Sequence, residues 1–253
     1  VEGFERYKYE KHIPQAPASL LGCEDIFATI RDRDVFLHHP FESFEPVVDF
    51  IEQSAADDKV LAIKQTLYRV SGDSPIVKAL AAAAERGKQV TVLLEVKARF
   101  DEENNIHWAK RLEQAGCHVI YGLVGLKTHC KVTLVVRQDE DKIRRYVHLG
   151  TGNYNDITAK LYTDMGLFTC NEYFGADASS VFNTLSGYGR PENLYKLEMA
   201  PLTLKSRVIE MIRAEAKNAE KGGKAEIIAK MNSLVDTDVI EELYRASAAG
   251  VKI

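Results

Sequence analysis

The chain has 253 residues, 45 % of them hydrophobic and 28 % charged, which is ordinary globular composition for one large domain or two smaller ones. No apolar run approaches the roughly 18–20 residues of a membrane span, and the first residues lack the apolar centre of a signal peptide. A net charge of −4 argues against general nucleic-acid binding but leaves room for a local basic site. One such stretch exists: Lys127 to His148 carries six Lys or Arg and two His against three acids at Asp139–Asp141. Cys23, Cys117, Cys130 and Cys170 form no CxxC pair, so neither a zinc site nor a disulfide framework is suggested, and a reducing cytoplasm is the simplest setting.

In chain order, residues 1–19, with Pro14 and Pro17, read as an extended arm entering from an upstream domain. Phe44 to Ala56 has helical periodicity with Ser43 as N-cap. Val60 to Val70 is a β-rich run. Ser74-Pro75 opens an Ala-rich helix that Gly87 closes, because Pro suits the first helical position and Gly the residue past the end. Gln89 to Val96 is a second strand. Asp101 caps another helix ending at Gly116, and Cys117 to Tyr121 is a short third strand. Strands alternating with helices at this spacing imply parallel pairing. Lys131 to Arg137 and Ile143 to Leu149, joined by a charged turn, read instead as a β-hairpin. The fold class expected is therefore α/β, with a mixed sheet and flanking helices.

The tail echoes the head. Asp238 to Ile253 repeats the pattern of Pro75 to Val90, a helix ended by glycine and followed by a strand. A βα unit cannot bury its sheet face alone, so a second, similar domain is expected to begin here and to continue past Ile253; a chance likeness between two amphipathic helices that end in glycine is the plainer alternative. The expected boundaries are an arm over 1–19, a first domain over 20–190 and the start of the second domain over 191–253.

The residues that could carry chemistry centre on Lys127-Thr-His129-Cys-Lys131. Residues two apart on a strand share a face, so His129 and Lys131 project together. A neutral imidazole is a good nucleophile near neutral pH, and a lysine beside it can hold phosphate oxygens. Alone, the pair equally describes a half-buried histidine next to a solvated lysine. The hairpin partner ends in His148-Leu-Gly-Thr-Gly-Asn153, where glycines would let backbone N–H groups approach an anion. Arg69 and Arg99 follow the first and second parallel strands, on the edge where open α/β sheets bind ligands; surface ion pairs with Asp73 or Asp101 are the plainer alternative. Gly122 to Thr128 does not have P-loop spacing, and neither a Gly-x-Ser-x-Gly elbow nor an HExxH motif is present.

Taken together, several segments resemble the class-1 polyphosphate kinase family. They are Asp34-Val-Phe-Leu-His-His-Pro-Phe-Glu-Ser-Phe44, Leu61-Ala-Ile-Lys-Gln-Thr-Leu-Tyr-Arg69, Ala98-Arg-Phe-Asp-Glu-Glu-Asn-Asn-Ile-His-Trp108, His148-Leu-Gly-Thr-Gly-Asn-Tyr-Asn155 and Ala159-Lys-Leu-Tyr162-Thr-Asp164. The resemblance runs from about Leu20 onward. It implies phospholipase-D-like domains and reversible transfer of the terminal phosphate of ATP to polyphosphate through a phosphohistidine, with magnesium required. By the same resemblance His129 is the autophosphorylated residue and His148 the second histidine of this domain; Lys131, read from the residues as the holder of phosphate oxygens beside His129, is the further catalytic candidate. Arg69 and Arg99 belong to the magnesium and phosphate region, where an Arg would clamp metal-bound phosphate oxygens instead of ligating the metal. Tyr162, with Asn153, is placed at the nucleotide. ATP or ADP and polyphosphate are the partners implied, with a homo-oligomer and peripheral membrane association possible for the longer enzyme. A phospholipase-D-like phosphodiesterase would need an acid where this chain has Val136; a polyanion-binding module using the same basic face is the non-enzymatic alternative.

Overall fold

The computed structural model describes the chain apart from residues 1–2, 11, 96–101, 124, 188 and 190–193, and the side chains of residues 5 and 102. It divides into two compact units, Val1–Tyr195 and Lys196–Ile253.

The first unit is built on one seven-stranded sheet. In chain order its elements are α1 (Ile26–Asp32), β1 (Val35–His39), α2 (Glu45–Ala56), β2 (Val60–Leu67), α3 (Pro75–Glu85), β3 (Gln89–Leu94), α4 (Glu102–Gln114), β4 (His118–Ile120), β5 (Lys131–Gln138), β6 (Ile143–Gly150), β7 (Asp164–Thr169) and α5 (Glu172–Leu185). The strand order is β1-β7-β6-β5-β2-β3-β4. β2, β3 and β4 run parallel through helical crossovers. β5 and β6 form the expected antiparallel hairpin, and β5 joins β2 antiparallel to make the sheet mixed. The α/β class read from the sequence is borne out.

Local chemistry sets most of the boundaries. Ser74 accepts a hydrogen bond from the Val77 N–H and Pro75 begins α3, while Gly87 stands past its end at φ +84°. α2 starts one residue later than expected, with Phe44 at the cap; Ser43 still serves it by accepting from the Glu45 N–H at 3.1 Å. β2 stops at Leu67 instead of Val70, because the carbonyls of Tyr68 and Val70 are taken by side-chain amides of α4, from Asn105 and Asn104 at 2.9 Å each. The cap expected from Asp101 lies outside the described residues.

Directly paired residues share a sheet face. One face therefore carries Leu37 and His39, Asp164, Gly166 and Phe168, His148 and Gly150, Lys131 and Thr133, and Gln65. Its apolar part is a closed aromatic cluster, with Phe27 4.9 Å from Tyr146 and Phe50 5.3 Å from Phe168 between ring centroids. α5 lies on the opposite face, where Gly175 lets it close on the Cβ of Arg145. At the far end of the hairpin Asp139, 2 % exposed, accepts from Arg137, Arg144 and Tyr146.

The second unit contains α6 (Leu204–Glu220) and α7 (Thr237–Ala248), packed through Ile212, Ala225, Ala246 and Val251. α7 is followed by Gly250 at φ +99° and a parallel bridge between Glu226 and Lys252. Among the described residues no helix is long and apolar enough to cross a membrane.

Candidate phosphate-handling site

The carboxyl end of β2 delivers Tyr68 and Arg69, and the segment entering β5 delivers Lys127, His129 and Lys131. Tyr68 is buried and its ring meets the His129 ring edge-on at 5.0 Å. Three cations surround the same ring, Lys127 at 5.1 Å, Lys131 at 5.5 Å and Arg69 at 5.6 Å from its centroid. Each such contact draws a cation toward the electron-rich face. Lys131 Nζ also lies 2.9 Å from His129 Nδ1 and donates to the His129 carbonyl.

The electrostatics follow from this crowding. Burial, then Lys131, Lys127 and Arg69, push the His129 pKa below its ordinary value, which favours the neutral imidazole at pH 7. Lys131 is only 5 % exposed, and desolvation followed by Arg69 brings its pKa down to about 8, with Cys130 and Asp164 acting the other way. A neutral, exposed imidazole beside a largely charged lysine can meet an anion without carrying charge itself. Positive charge on the collar raises the local concentration of phosphate.

Buried polar residues hold this assembly in place. Glu95, at the end of β3 and 3 % exposed, accepts from the Thr128 N–H at 3.0 Å and so fixes the residue before His129. Gly122, at φ +77°, passes over that carboxylate, where a Cβ would lie 3.2 Å from Glu95 Oε2. Asn105 donates to both Tyr68 O and Glu95 O, at 2.9 and 3.0 Å, and ties the ends of β2 and β3 together. Asn155 reaches the Arg69 carbonyl at 3.3 Å, and Ser71 bonds Asp156 at 2.7 Å. Sequence reading passed over Tyr68, Glu95 and Asn105. The Asn-Asn pair on an amphipathic helix was the one available signal, since buried amides must find partners.

The other expected residues are distributed around this centre. Gly150 pairs with Lys131, so the turn after β6 faces the same edge. On that turn Asn153 is half-buried, while Tyr162 is 63 % exposed beyond it. Gly152 runs so close to Asp164 that a Cβ would clash with its carboxylate, which Thr151 holds at 2.8 Å. His148 is paired with Thr133, deeper in the sheet than Lys131, and is 2 % exposed. Its Nδ1 lies 2.8 Å from the Tyr154 hydroxyl and its ring 4.6 Å from that of Phe168. Arg99 lies outside the described residues. Asp73, the suggested alternative partner for Arg69, pairs with Lys78. Among the described residues no three His, Cys, Asp or Glu side chains converge on a metal position.

The first unit is thus a mixed α/β domain that sets a histidine in a collar of cations at its strand ends, an arrangement whose charge suits an anion. Residues 25–191 match the polyphosphate kinase C-terminal domain 1 family, and residues 197–253 match C-terminal domain 2 of the same enzymes. The chain belongs to the polyphosphate kinase family. It is 60 % identical over 250 residues, 99 % of its length, to a polyphosphate kinase from Halalkalibacterium halodurans, of which it spans 36 %. The crystal structure of polyphosphate kinase from Porphyromonas gingivalis superimposes with a TM-score of 0.87 at 34 % identity, covering 99 % of this chain and 42 % of that one. A phospholipase D family member, Nuc from Salmonella typhimurium, aligns at a TM-score of 0.46 and 18 % identity, covering 65 % of this chain and 98 % of that one. The chain thus spans just over a third of the length of the curated relatives it matches.

Proposed function

We propose that this chain supplies the phosphohistidine half of a polyphosphate kinase. The observation that carries the reading is the neutral His129 held 2.9 Å from Lys131 Nζ on the Tyr68 ring that also gathers Lys127 and Arg69. His129 attacks the γ-phosphorus of ATP in line; the N–P bond forms as the bond to the β-phosphate oxygen breaks, and ADP leaves with the electron pair. The terminal oxygen of a polyphosphate chain then attacks the same phosphorus and returns a neutral imidazole. Lys131, Lys127 and Arg69, joined by Arg99, neutralise the equatorial oxygens, and such positioned charge supplies most of the catalysis in phosphoryl transfer. Exposed Tyr162 offers a ring to the nucleotide base, and Asn153, on the turn after β6, is assigned to the same ligand. His148 positions or protonates from beneath. The donor set does not fit a protein-ligated magnesium, since the side chains around His129 are cations; magnesium is assigned to the nucleotide. The phosphodiesterase alternative calls for an acid at position 136, where the side chain is valine.

The test is labelling by γ-labelled ATP with magnesium of a full-length polyphosphate kinase carrying this segment, as wild type and as His129→Ala. An acid-labile, base-stable label lost in the variant is the expected result. Full labelling of His129→Ala with polyphosphate still made removes His129 as the nucleophile. Polyphosphate binding with no histidine label in the wild type favours a polyanion-binding module.

A further inference from the structure

Hydrogen-bond direction beneath the sheet assigns the protons of two buried histidines. Gln65 Nε2 donates to Thr66 O at 3.2 Å, which turns its Oε1 toward Thr133. Thr133 therefore spends its hydroxyl hydrogen on Gln65 Oε1, 2.6 Å away. The Tyr154 hydroxyl, 2.9 Å from Thr133 Oγ1 and 3.4 Å from the His148 carbonyl, then has an oxygen on either side to take its hydrogen. With its hydrogen so committed, Tyr154 can only accept from His148 at 2.8 Å, which places a proton on His148 Nδ1 and a bare lone pair on Nε2. On β1, His39 is 4 % exposed and its Nδ1 lies 3.0 Å from the Glu42 carbonyl. A carbonyl only accepts, so His39 also carries its proton on Nδ1 and has a bare Nε2.

Both bare nitrogens face Gly166. A Cβ on that residue would lie 2.9 Å from His148 Nε2 and 3.5 Å from His39 Nε2, so the two nitrogens are no more than 6.4 Å apart, the two distances laid end to end. Neither nitrogen has a hydrogen-bond partner among the described residues. The rings are closed in by Phe44, 5.4 Å from His39, and by Phe168. Two buried acceptors aimed at one place, each with its other nitrogen engaged, form a site for something that brings two hydrogens.

We propose that His39 and His148 together bind one small neutral double donor, a water molecule, that hydrogen-bonds both Nε2 atoms. A water molecule, its hydrogens set at the bent angle of H–O–H, bridges acceptors roughly 4.5 Å apart with two ordinary hydrogen bonds of about 2.8 Å, which lies inside that bound. The occupied site locks both rings, and through Tyr154, Thr133 and Gln65 it links β1 to β2 across the strands that bear the proposed nucleophile. His148 is then a positioning residue, an acceptor at Nε2 and not a proton donor, and His39 is its partner. This deepens the role left open for His148 above, but it is read from nuclei and electron density, so it can fail while His129 still labels.

The experiment is two-bond nitrogen–proton correlation NMR on the histidine-labelled chain, paired with a crystal structure fine enough to place solvent. Expected are Nδ1–H tautomers at both residues and one solvent peak within hydrogen-bond distance of both Nε2 atoms. A folded His39→Phe variant should shift the His148 Nε2 resonance and leave the other histidines outside this pair unmoved. An Nε2–H at either residue, a direct bond between the two nitrogens, a metal ion in the position of the water, or a folded His39→Phe variant with His148 Nε2 unchanged would each overturn the proposal.

Discussion

Replacing Gly166 by alanine puts one methyl group against two buried histidine rings. The glycine is not in the left-handed region, so the change carries no backbone strain, and the cost must come from contact alone. The new carbon would lie 2.9 Å from His148 Nε2, and real Cβ atoms do not approach heavy atoms so closely. His148 cannot retreat, because it is 2 % exposed and fixed by Tyr154 on one side and Phe168 on the other. Overpacking of this kind costs roughly 1–3 kcal/mol. Removing a glycine from the unfolded chain returns roughly 0.4–1 kcal/mol. A net loss of about 1–2 kcal/mol is expected, equivalent to a fall in Tm of ~2–8 °C for a unit of this size. Urea denaturation followed by fluorescence measures it, since Trp108 is the only tryptophan and sits buried in the same core. Gly72→Ala is the control: an added Cβ there meets no atom within 4 Å, and a change within about ±0.5 kcal/mol is expected. If Gly166→Ala matches the wild type in stability, the packing account of the histidine pair is wrong.

Acid should weaken the fold well before the carboxylates titrate. Burial, and then His39, hold the His148 pKa at about 3, whereas the unfolded chain takes up that proton near 6.5. Stability is thus fully present above about pH 6.5 and is lost as pH falls toward about 3, by ~2 kcal/mol between pH 8 and pH 5 from this residue; equal or greater stability at pH 5 in urea titrations would contradict it. Asp139→Ala strips the shared acceptor from Arg137, Arg144 and Tyr146, and breaking such a buried pair costs about 3–5 kcal/mol. A fall of less than about 1 kcal/mol in the same assay would show that Asp57, the other partner of Arg137, suffices to hold the hairpin end.

The parallel half of the sheet was legible because its signals are local. Ser74-Pro75 and Gly87 mark both ends of α3, and apolar runs mark β2 and β3. The hairpin was legible for the same reason. β1 and β7 were not recognised as strands. β1 is five residues long with two histidines at its end, and β7 carries a glycine in its middle, a residue that weakens strands. That glycine makes sense only once His39 and His148 are seen beside it, from positions 127 and 18 residues away in sequence. The proposed nucleophile segment was visible as a motif, and the resemblance to polyphosphate kinases held. The collar around it was only half visible: Arg69 and Lys131 were singled out, but Tyr68, which gathers them, looks like one more strand-end aromatic until the chain is folded.

The position of β7 between β1 and β6 has a consequence for how the protein is made. β1 precedes every other strand of its sheet in the chain, yet Val35 finds its partner only at Phe168. β2 likewise waits for β5, with Gln65 opposite Thr133. Closing such long loops before any contact rewards it makes folding slow. On the ribosome, β1 must emerge and remain an unpaired edge while well over a hundred further residues are added, and in that interval it is open to pairing with another nascent chain. Its brevity and its two histidines suit that wait.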